Sequence, residues 1–474
     1  MPALSPYFAG IPLNKSSFSS LSLKPELFEN LESLGFTEMT PIQQESLPSV
    51  LAGRDVIAQG QTGSGKTVAF GLGLLEKLNV KRFRIQSLVL CPTRELADQV
   101  AKEIRRLART THNIKVLTLC GGMPFGPQVG SLEHGAHIIV GTPGRVEEHV
   151  RKGTLKLENV ETLVLDEADR MLDMGFQEAL DKILDYVPES RQTLLFSATF
   201  PDQIKRIATR VMVDPLMVKV ESTHTHDSIE QQFYKVEDYE HRLEALNLLL
   251  KRFAPESTVV FCNMKRDVDD VADYLASEGF SALALHGDLE QRQRDQVLVR
   301  FANKSASILV ATDVAARGLD IDSLDAVINF QLSRDPEVHV HRIGRTGRAG
   351  NKGLAISLFE EKESHRVAQM PLDIDPISDP TPLPDIKFLD ETPVKPPMAT
   401  IQIDGGKKQK VRPGDIVGAL TGGQGISGDD IGKIQMFDNS AYVAVKKSAA
   451  KQALAKLSEG KLKGRSFRVR QIRG

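Results

Sequence analysis

The chain has 474 residues, 41% of them hydrophobic and 26% charged, with a net charge of −2, a composition typical of soluble globular proteins with several domains. No run approaches the roughly 18 apolar residues of a membrane-spanning helix, and the first residues lack the plan of a secretory signal, so we expect a cytoplasmic protein. Three isolated cysteines, Cys91, Cys120 and Cys262, lack the spacing of a disulfide framework or zinc site and are expected to be buried.

The first 220 residues alternate short β-branched runs with helical patterns such as Arg94–Leu107. This alternation predicts a parallel α/β sheet, because parallel strands need crossover connections that are usually helical. The predicted strands are Arg54–Ala58, Ser87–Leu90, Ile114–Leu119, His137–Val140, Leu163–Leu165 and Thr193–Phe196.

The first predicted strand leads into a glycine-rich segment, Gly60–Thr67 (GQTGSGKT), which opens a helical pattern. Its spacing, G-x4-G-K-[ST], is that of loops whose backbone N–H groups wrap nucleotide phosphates. In such a loop Lys66 contacts the β- and γ-phosphates and the Thr67 hydroxyl coordinates Mg²⁺. A chance glycine turn is the alternative, but the strand–helix context argues against it. The sequence therefore predicts a nucleotide-binding loop that includes Gly63, Ser64, Gly65, Lys66 and Thr67.

A second acidic motif ends the apolar run Leu163–Leu165 with two adjacent carboxylates. We predict that Asp166 binds Mg²⁺ and that Glu167 orients or activates the attacking water. The alternative is that both carboxylates only cap the next helix, where acidic residues are common. The phosphate loop favours the catalytic interpretation.

A second α/β stretch follows a polar break at Glu221–Ser228, where we place a domain boundary. It contains helical patterns such as Asp267–Ser277, so we expect a second parallel sheet. The predicted strands are Thr258–Phe261, Ala282–Leu285, Ile308–Ala311, Ala326–Phe330 and Leu354–Leu358.

The region Pro371–Pro397 holds 8 of the 24 prolines, which predicts an extended linker. From Met398 onward, 15 Lys and Arg stand against 6 Asp and Glu, a balance of +9 that leaves −11 for residues 1–397. A basic tail on an acidic body indicates a polyanion-binding module, although a solvated charged face is the alternative. We therefore divide the chain into residues 1–220, 221–371, a linker at 372–397 and 398–474.

The basic segment has the element order strand–helix–strand–strand–helix–strand, which is typical of an RRM RNA-binding domain. The match to the usual aromatic motif on the third strand is limited to Tyr442 and Val443. The predicted strands are Thr400–Ile403, Gly432–Phe437, Ala441–Lys446 and Ser466–Ile472, and the predicted helices are Pro413–Leu420 and Ala449–Leu457.

Asp166-Glu167-Ala168-Asp169 is the tetrapeptide for which the DEAD-box RNA helicases are named, and the chain resembles that family from about Phe18 to Phe359. The resemblance implies an α/β fold with two tandem RecA-like parallel-sheet domains, followed here by the small α+β RRM-like domain. The other motifs stand in the family's order: Gly35–Gln43 (GFTEMTPIQ), the phosphate loop, Pro92–Ala97 (PTRELA), Gly121-Gly122, Thr142–Arg145 (TPGR), Ser197–Thr199 (SAT), Ala311–Asp320 (ATDVAARGLD) and His341–Arg348 (HRIGRTGR).

The resemblance assigns the remaining ATP-site residues. It implies that Gln43 and Phe18 bind adenine and that Asp320 binds the ribose. It also implies that Arg345 and Arg348 are arginine fingers that the second domain presents to the γ-phosphate, so that ATP and RNA close the two domains together. The resemblance further implies a role for His341 between the γ-phosphate and the region of Asp169. The same resemblance implies that Ser197 and Thr199 bond Asp169 and couple hydrolysis to strand separation.

RNA contacts fall on another set of residues by the same resemblance. Their backbone, hydroxyl and guanidinium donors bind phosphate and sugar rather than bases, so the core is expected to have little sequence preference. The set is Pro92, Thr93, Arg94, Gly121, Gly122, Thr142, Arg145, Gly287, Arg294 and Thr312.

The implied activity is ATP-dependent RNA unwinding, with RNA-stimulated ATP hydrolysis and with ATP and Mg²⁺ as cofactors. The C-terminal segment, including Lys407–Leu420, resembles that of a bacterial subgroup, which implies 23S rRNA and pre-50S ribosomal particles as partners, without a membrane or an obligate protein partner. Two alternatives remain: an RNA clamp that binds ATP but scarcely hydrolyses it, and a DNA helicase of the same superfamily. The glutamine motif and the RRM-like segment favour RNA.

Overall fold

The computed structural model describes residues 16–60, 63–220, 229–316, 324–347, 352–370, 372, 374–423 and 425–472. The described residues form two compact units, one ending at residue 220 and the other beginning at residue 229. Over these residues the first unit contains one β-sheet and the second unit contains two.

The first unit is built on seven parallel strands, counted over the described residues. Its central strands are continuous apolar runs because helices cover both faces of the sheet. The strands are β1 (Val56–Gln59), β2 (Ser87–Leu90), β3 (Val116–Leu119), β4 (Ile138–Gly141), β5 (Thr162–Asp166), β6 (Gln192–Ser197) and β7 (Leu216–Lys219). Their order across the sheet is β3-β4-β2-β5-β6-β1-β7.

Two apolar cores lie on the two faces of this sheet. One contains Phe70 and Phe196, and the other contains Leu165 and Met171. A 3-10 turn, Phe18–Ser20, precedes the helices. The helices are α1 (Pro25–Ser33), α2 (Pro41–Leu51), α3 (Lys66–Lys77), α4 (Arg94–Leu107), α5 (Phe125–Glu133), α6 (Pro143–Arg151), α7 (Ala168–Asp173), α8 (Gln177–Leu184) and α9 (Asp202–Val211).

The second unit begins with a parallel sheet of six strands among the described residues, in the order β10-β11-β9-β12-β13-β8. The strands are β8 (Ile229–Val236), β9 (Thr258–Cys262), β10 (Ala282–Leu285), β11 (Ile308–Thr312), β12 (Ala326–Asn329) and β13 (Gly353–Glu360). The helices are α10 (Tyr239–Phe253), α11 (Lys265–Ser277), α12 (Gln291–Ala302), α13 (Asp313–Ala316), α14 (Pro336–Ile343) and α15 (Ser364–Val367), with a 3-10 turn at Glu361–Glu363.

The C-terminal part of the second unit is an antiparallel sheet in the order β15-β16-β14-β17. One face packs on two helices around Ile401, Val443, Ile416 and Ala453. The elements are β14 (Met398–Ile403), α16 (Pro413–Thr421), β15 (Ile431–Met436), β16 (Ala441–Lys446), α17 (Ala450–Glu459) and β17 (Val469–Ile472), with 3-10 turns at Lys407–Gln409, Gly428–Asp430 and Lys447–Ala449.

The described part of the proline-rich segment 372–397 lies against the six-stranded sheet domain. The Thr381 N–H donates to the Phe233 carbonyl (2.8 Å), and Lys251 Nζ donates to the Leu389 carbonyl (2.7 Å). The 3-10 turn Ile386–Asp390 adjoins these contacts. The predicted linker is therefore held along the domain over much of its length.

The other face of the antiparallel sheet contacts α12 and the residues that follow it. Asn303 Nδ2 donates to Thr400 Oγ1 (3.2 Å), and Ser305 Oγ lies 2.7 Å from the same oxygen. Gln296 Nε2 donates to Gln402 Oε1 (3.2 Å). Tyr442, opposite Gln402 in the neighbouring strand, is only 3% exposed. The face on which RRM domains stack bases is thus covered here.

The predicted fold class is confirmed: two parallel-sheet α/β domains precede a small α+β domain. Strands β7 and β8 were not predicted from the sequence; they flank the predicted break at Glu221–Ser228, which lies outside the described residues. Both are partly exposed edge strands without a continuous apolar run.

The three cysteines are buried and unpaired as expected, and burial raises the pKa of Cys120 to about 12. None of the helices in the described ranges has both the length and the apolar character needed to cross a membrane.

Candidate functional site

The predicted phosphate loop follows β1 and ends where α3 begins. Gly63 and Gly65 have φ angles of +84° and +94°, a region that favours glycine. Lys66 is 6% exposed, and its Nζ donates to the Gly60 carbonyl (2.7 Å). Gln61 and Thr62 lie outside the described residues, while Ser64 and Thr67 lie within them. The loop therefore places the lysine ammonium group among backbone dipoles at the carboxyl edge of the sheet.

Gln43 supports the phosphate loop from α2. Its Nε2 donates to the Gly65 carbonyl (3.0 Å), and its Oε1 accepts from the Thr40 N–H (2.9 Å). The Thr40 hydroxyl donates to the Ser64 carbonyl (2.7 Å). A Cβ atom added to Gly65 would lie 2.4 Å from Gln43 Nε2 and would displace that side chain, and the φ of +94° at this position independently favours glycine. In this structure the Gln43 amide bonds the loop, and its contact with adenine stays a prediction.

Phe18, the other predicted adenine-binding residue, lies in the core. Its ring is 1% exposed and packs edge-on against Phe36 at 6.2 Å between centroids. Stacking of Phe18 on adenine therefore stays a prediction.

The two carboxylates of the acidic motif are buried at the end of β5. Asp166 is 3% exposed, and its Oδ1 accepts from the Glu167 N–H (3.1 Å). Burial raises the pKa of Asp166 to about 7, an effect that Lys66 opposes and Glu167 reinforces. Glu167 has a φ of +51°, unusual for a residue with a side chain, and precedes the first residue of α7. The backbone is thus bent sharply where the predicted catalytic base stands.

The residues present fit a Mg²⁺ site of the kind the sequence predicts. Mg²⁺ is commonly held by one or two protein oxygens together with substrate phosphates and waters. Asp166 and the Thr67 hydroxyl supply such oxygens, and a cation beside Asp166 would favour its ionised form despite burial.

Asp169 is tied to the loop after β6. Its Oδ2 accepts from the Thr199 N–H (3.0 Å) and from Thr199 Oγ1 (2.9 Å), and its own N–H donates to Ser197 Oγ (3.3 Å). Burial alone would raise the pKa of Asp169, but Arg170 and these hydrogen bonds outweigh it and lower that pKa. The structure therefore contains the predicted contacts, whereas their role in coupling stays a prediction.

The predicted RNA-binding residues of the first unit follow β2, β3 and β4, which are neighbours in the sheet. Thr93 caps α4 by accepting from the Leu96 N–H, and Arg145 Nη1 donates to the Met123 carbonyl (2.9 Å). The structure brings this group to one stretch of the carboxyl edge, where its members are Pro92, Thr93, Arg94, Gly121, Gly122, Thr142 and Arg145.

Three residues that were not predicted from the sequence hold this predicted RNA-binding stretch together. Gln128 Nε2 donates to the Cys120 carbonyl, next to Gly121, while Gln128 Oε1 bonds His149 Nε2 (3.0 Å). The His149 ring stacks on Phe125 at 4.2 Å. Burial lowers the pKa of His149 to about 4, so the ring is neutral near pH 7. Aromatic and amide residues flanking the Gly121-Gly122 motif were the available signal.

The second unit presents its own set of predicted residues. Gly287 follows the buried His286, whose Nε2 lies 2.9 Å from Asp269 Oδ1, and Arg294 Nη1 reaches the His286 carbonyl (3.4 Å). Thr312 ends β11, and His341 and Arg345 lie at the end of α14 and just beyond it. Asp320 and Arg348 lie outside the described residues, so their roles stay predictions.

Arg342 links two motifs of the second unit and was also missed. It is 2% exposed and pairs with Asp313 through two hydrogen bonds of 2.7 Å. It also donates to the Asn329 and Asn263 side chains. Because Asp313 belongs to the Ala311–Asp320 motif, this buried ion pair fixes it to the His341–Arg348 motif.

Comparison with known proteins agrees with this geometry. The "DEAD/DEAH box helicase" family model matches residues 40–207, and the "Helicase conserved C-terminal domain" model matches residues 241–350. The ATP-dependent RNA helicase DbpA of Escherichia coli strain K12 is 54% identical over 467 residues, covering 97% of this chain and 100% of the relative. The chain belongs to the DEAD-box family of ATP-dependent RNA helicases. The predicted enzyme class is thereby confirmed.

Other relatives match only the helicase core, and a separate family model matches the C-terminal domain. The DEAD-box ATP-dependent RNA helicase CshA of Bacillus cereus is 47% identical over 349 residues, 74% of this chain and 66% of the relative. Dbp5 of S. cerevisiae bound to RNA and ADP BeF3 superposes with a TM-score of 0.67 at 32% identity, covering 74% of this chain and 92% of that one. The "DbpA RNA binding domain" model matches residues 400–471 of this DEAD-box helicase.

Proposed function

We propose that this DEAD-box helicase locally unwinds rRNA duplexes in the cytoplasm and is targeted by its C-terminal domain to 23S rRNA during assembly of the large ribosomal subunit. The observation that carries the proposal is the "DbpA RNA binding domain" match at residues 400–471, placed after the helicase core as in the E. coli relative. Its partners are therefore 23S rRNA and pre-50S particles.

The exposed basic residues of the C-terminal domain support an RNA partner. Lys463 Nζ donates to the Lys410 carbonyl (3.0 Å), so the loop 407–412 and the segment 461–468 lie side by side. Both stretches are mostly exposed and rich in Lys and Arg. Because α12 and the residues after it contact β14 on this sheet face and Tyr442 is buried, these loops are the basic surface we assign to rRNA, through phosphate contacts and hydrogen bonds rather than stacking on Tyr442.

The core supplies hydrolysis. Lys66 neutralises charge on the β- and γ-phosphates, and Glu167 orients the water that attacks the γ-phosphorus. Thr67 and Asp166 would hold Mg²⁺, which supplies charge neutralisation at the phosphates when bound. Because Lys66 and Arg345 belong to different units, the catalytic set is distributed over both.

ATPase stimulation by rRNA fragments tests the proposal. Phosphate release is measured with fragments that tile 23S rRNA, and we expect a few fragments to stimulate turnover far more than the rest. The Lys410→Gln/Lys463→Gln variant and a chain truncated before Met398 should lose that preference while keeping basal stimulation by total RNA. Lys451→Gln, on α17, is the matched control and should keep it.

Equal stimulation by all fragments would contradict the targeting proposal. Failure of any RNA to stimulate turnover would instead favour a clamp that binds ATP without hydrolysing it, and stronger stimulation by DNA would favour a DNA helicase.

A further inference from the structure

The amino ends of strands β2 to β5 carry a basic and aromatic surface that the helicase motifs do not use. We call it the amino-edge patch and define it as Lys81, Arg82, Phe83, Arg84 and Lys115. The first four lie in the loop between α3 and β2, and Lys115 immediately precedes β3. The motif residues follow the carboxyl ends of these strands, so the patch lies at the opposite edge of the same sheet.

The loop that carries the patch is held in one conformation by the buried Gln86. The Gln86 side chain is 2% exposed, accepts from the Asn79 N–H (3.0 Å), and donates to the Asn79 (2.9 Å) and Arg82 (2.7 Å) carbonyls. His137, also buried, accepts from the Lys115 N–H at Nδ1 (3.1 Å) and lies 3.2 Å from the Val80 carbonyl at Nε2. These bonds fix the loop to the ends of β3 and β4.

Phe83 is oriented by its neighbours yet largely exposed. Its ring contacts Gly135, where an added Cβ atom would lie 2.3 Å from the ring, and it meets the His137 ring edge-on at 4.9 Å between centroids. Lys115 Nζ lies 5.8 Å from the Phe83 ring centroid. The residue is nevertheless 56% exposed. A fixed aromatic ring with an open surface is what base stacking requires.

The charges around Phe83 favour an anion. Arg82 and Arg84 share one carboxylate, Glu161, at 3.4 Å and 3.7 Å, and their side chains are 54% and 44% exposed. Burial lowers the pKa of His137, which therefore adds no charge near pH 7. One shared carboxylate leaves most of the positive charge of Lys81, Arg82, Arg84 and Lys115 uncompensated, on a body that is otherwise acidic.

We propose that the amino-edge patch is a second RNA-contact surface, at which an unpaired base stacks on Phe83 while Arg82, Arg84 and Lys115 bind the flanking phosphates. An aromatic ring bordered by cations is the usual arrangement for single-stranded nucleic acid. Such a surface retains the RNA strand beyond the motif residues, independently of sequence. The inference rests on RNA being the substrate of the helicase and not on its targeting to 23S rRNA.

The experiment compares binding of short and long single-stranded RNA, of about six and about thirty nucleotides, by the full chain. We expect Phe83→Leu, which keeps an apolar side chain but removes the ring, to weaken binding of the long RNA about fivefold or more. Phe83→Trp should retain wild-type affinity. Arg82→Gln/Arg84→Gln should lower the slope of log affinity against log salt by about 1.4, because each phosphate that is no longer neutralised accounts for roughly 0.7.

Binding of the short RNA and RNA-stimulated turnover should stay unchanged in all these variants, because the motif residues are intact. Tyr186→Leu is the matched control for Phe83→Leu, since Tyr186 is 57% exposed in the same domain. Lys182→Gln/Lys205→Gln, on exposed helix surfaces, controls for the loss of two charges.

The proposal is overturned if Phe83→Leu binds long RNA as the wild type does, or if Phe83→Leu and Phe83→Trp lose affinity equally. If a patch variant loses the same affinity for short and for long RNA, the loss reflects a disturbed fold, and the proposal is overturned as well. If all the patch variants bind long RNA as the wild type does, the proposal is overturned and the patch is better explained as a binding surface for an acidic protein segment. Photo-crosslinking of thiouridine-labelled long RNA should give a direct adduct on the peptide containing Phe83.

Discussion

The two edges of the first sheet use charge in different ways. At the carboxyl edge Lys66, Asp166 and Asp169 are 6%, 3% and 4% exposed, and each bonds neighbouring backbone or side-chain groups. At the amino edge the Arg82 and Arg84 side chains are about half exposed. A buried charge interacts strongly and specifically, whereas an exposed charge is screened by water and salt. The first edge is therefore suited to chemistry and the second to retention of a polyanion.

The largest expected effect lies at the carboxyl edge. Lys66→Ala or Glu167→Gln should reduce RNA-stimulated phosphate release by about 10²–10⁴-fold, because charge neutralisation or water orientation is lost. Glu167→Gln should still bind an ATP analogue, which separates loss of chemistry from loss of binding. Undiminished turnover in either variant would contradict the assignment.

The two edges should also differ in how their charges affect the pH dependence of stability, because only the carboxyl edge buries Asp166. Because the pKa of Asp166 is raised from 3.8 to about 7 in the folded protein, its charged form destabilises the fold increasingly as pH rises through that interval. Asp166→Asn removes this penalty and should stabilise the Mg²⁺-free protein by as much as about 4 kcal/mol above pH 7. Thermal unfolding at pH 5 and pH 8 measures the gap between variant and wild type, which should widen with pH.

A gap that does not change with pH would show that Asp166 is not the titrating group. Added Mg²⁺ with nucleotide should stabilise the wild type more than Asp166→Asn, since only the wild type retains the carboxylate.

The smallest expected effect lies at the amino edge. Glu161→Gln removes both ion pairs with Arg82 and Arg84, yet should lower the free energy of unfolding by less than about 1 kcal/mol, because the pairs are exposed. Affinity for long RNA should rise slightly at low salt and not at high salt. A large loss of stability would mean that the amino edge resembles the carboxyl edge after all.

Motif spacing predicted much of the carboxyl edge. The phosphate loop and the acidic pair follow strands whose apolar runs are visible in the sequence, and the carboxyl ends of parallel strands meet at one edge. The Asp169–Thr199 contact, by contrast, was implied by the family resemblance. Strands Ser87–Leu90 and Ala282–Leu285 were predicted to the residue. Such strands can be predicted because buried strands and helices alternate regularly along the chain.

Residues that act through other residues were not predicted. Gln128, His149 and Arg342 hold motif backbone or side chains in place, and nothing in local spacing distinguishes them from ordinary polar residues. The hydrogen bonds described above for them join residues 8 to 79 positions apart in the chain, so only the folded structure brings these residues together. Gly135 likewise contacts the Phe83 ring from a different loop, whereas Gln86 holds the loop that contains Phe83 through partners only 4 and 7 positions away.

Helix α12 carries the predicted RNA-binding residue Arg294 and also contacts the C-terminal sheet, which bears on the proposed targeting. Arg294 lies in the first turns of this helix. Gln296, in the same helix, and Asn303 and Ser305, which follow it, contact β14. These contacts hold the C-terminal domain in a defined position on the second parallel-sheet domain, so it is not simply tethered by a flexible linker. We therefore expect the proposed RNA contacts of the C-terminal domain to lie at a fixed distance from the second parallel sheet.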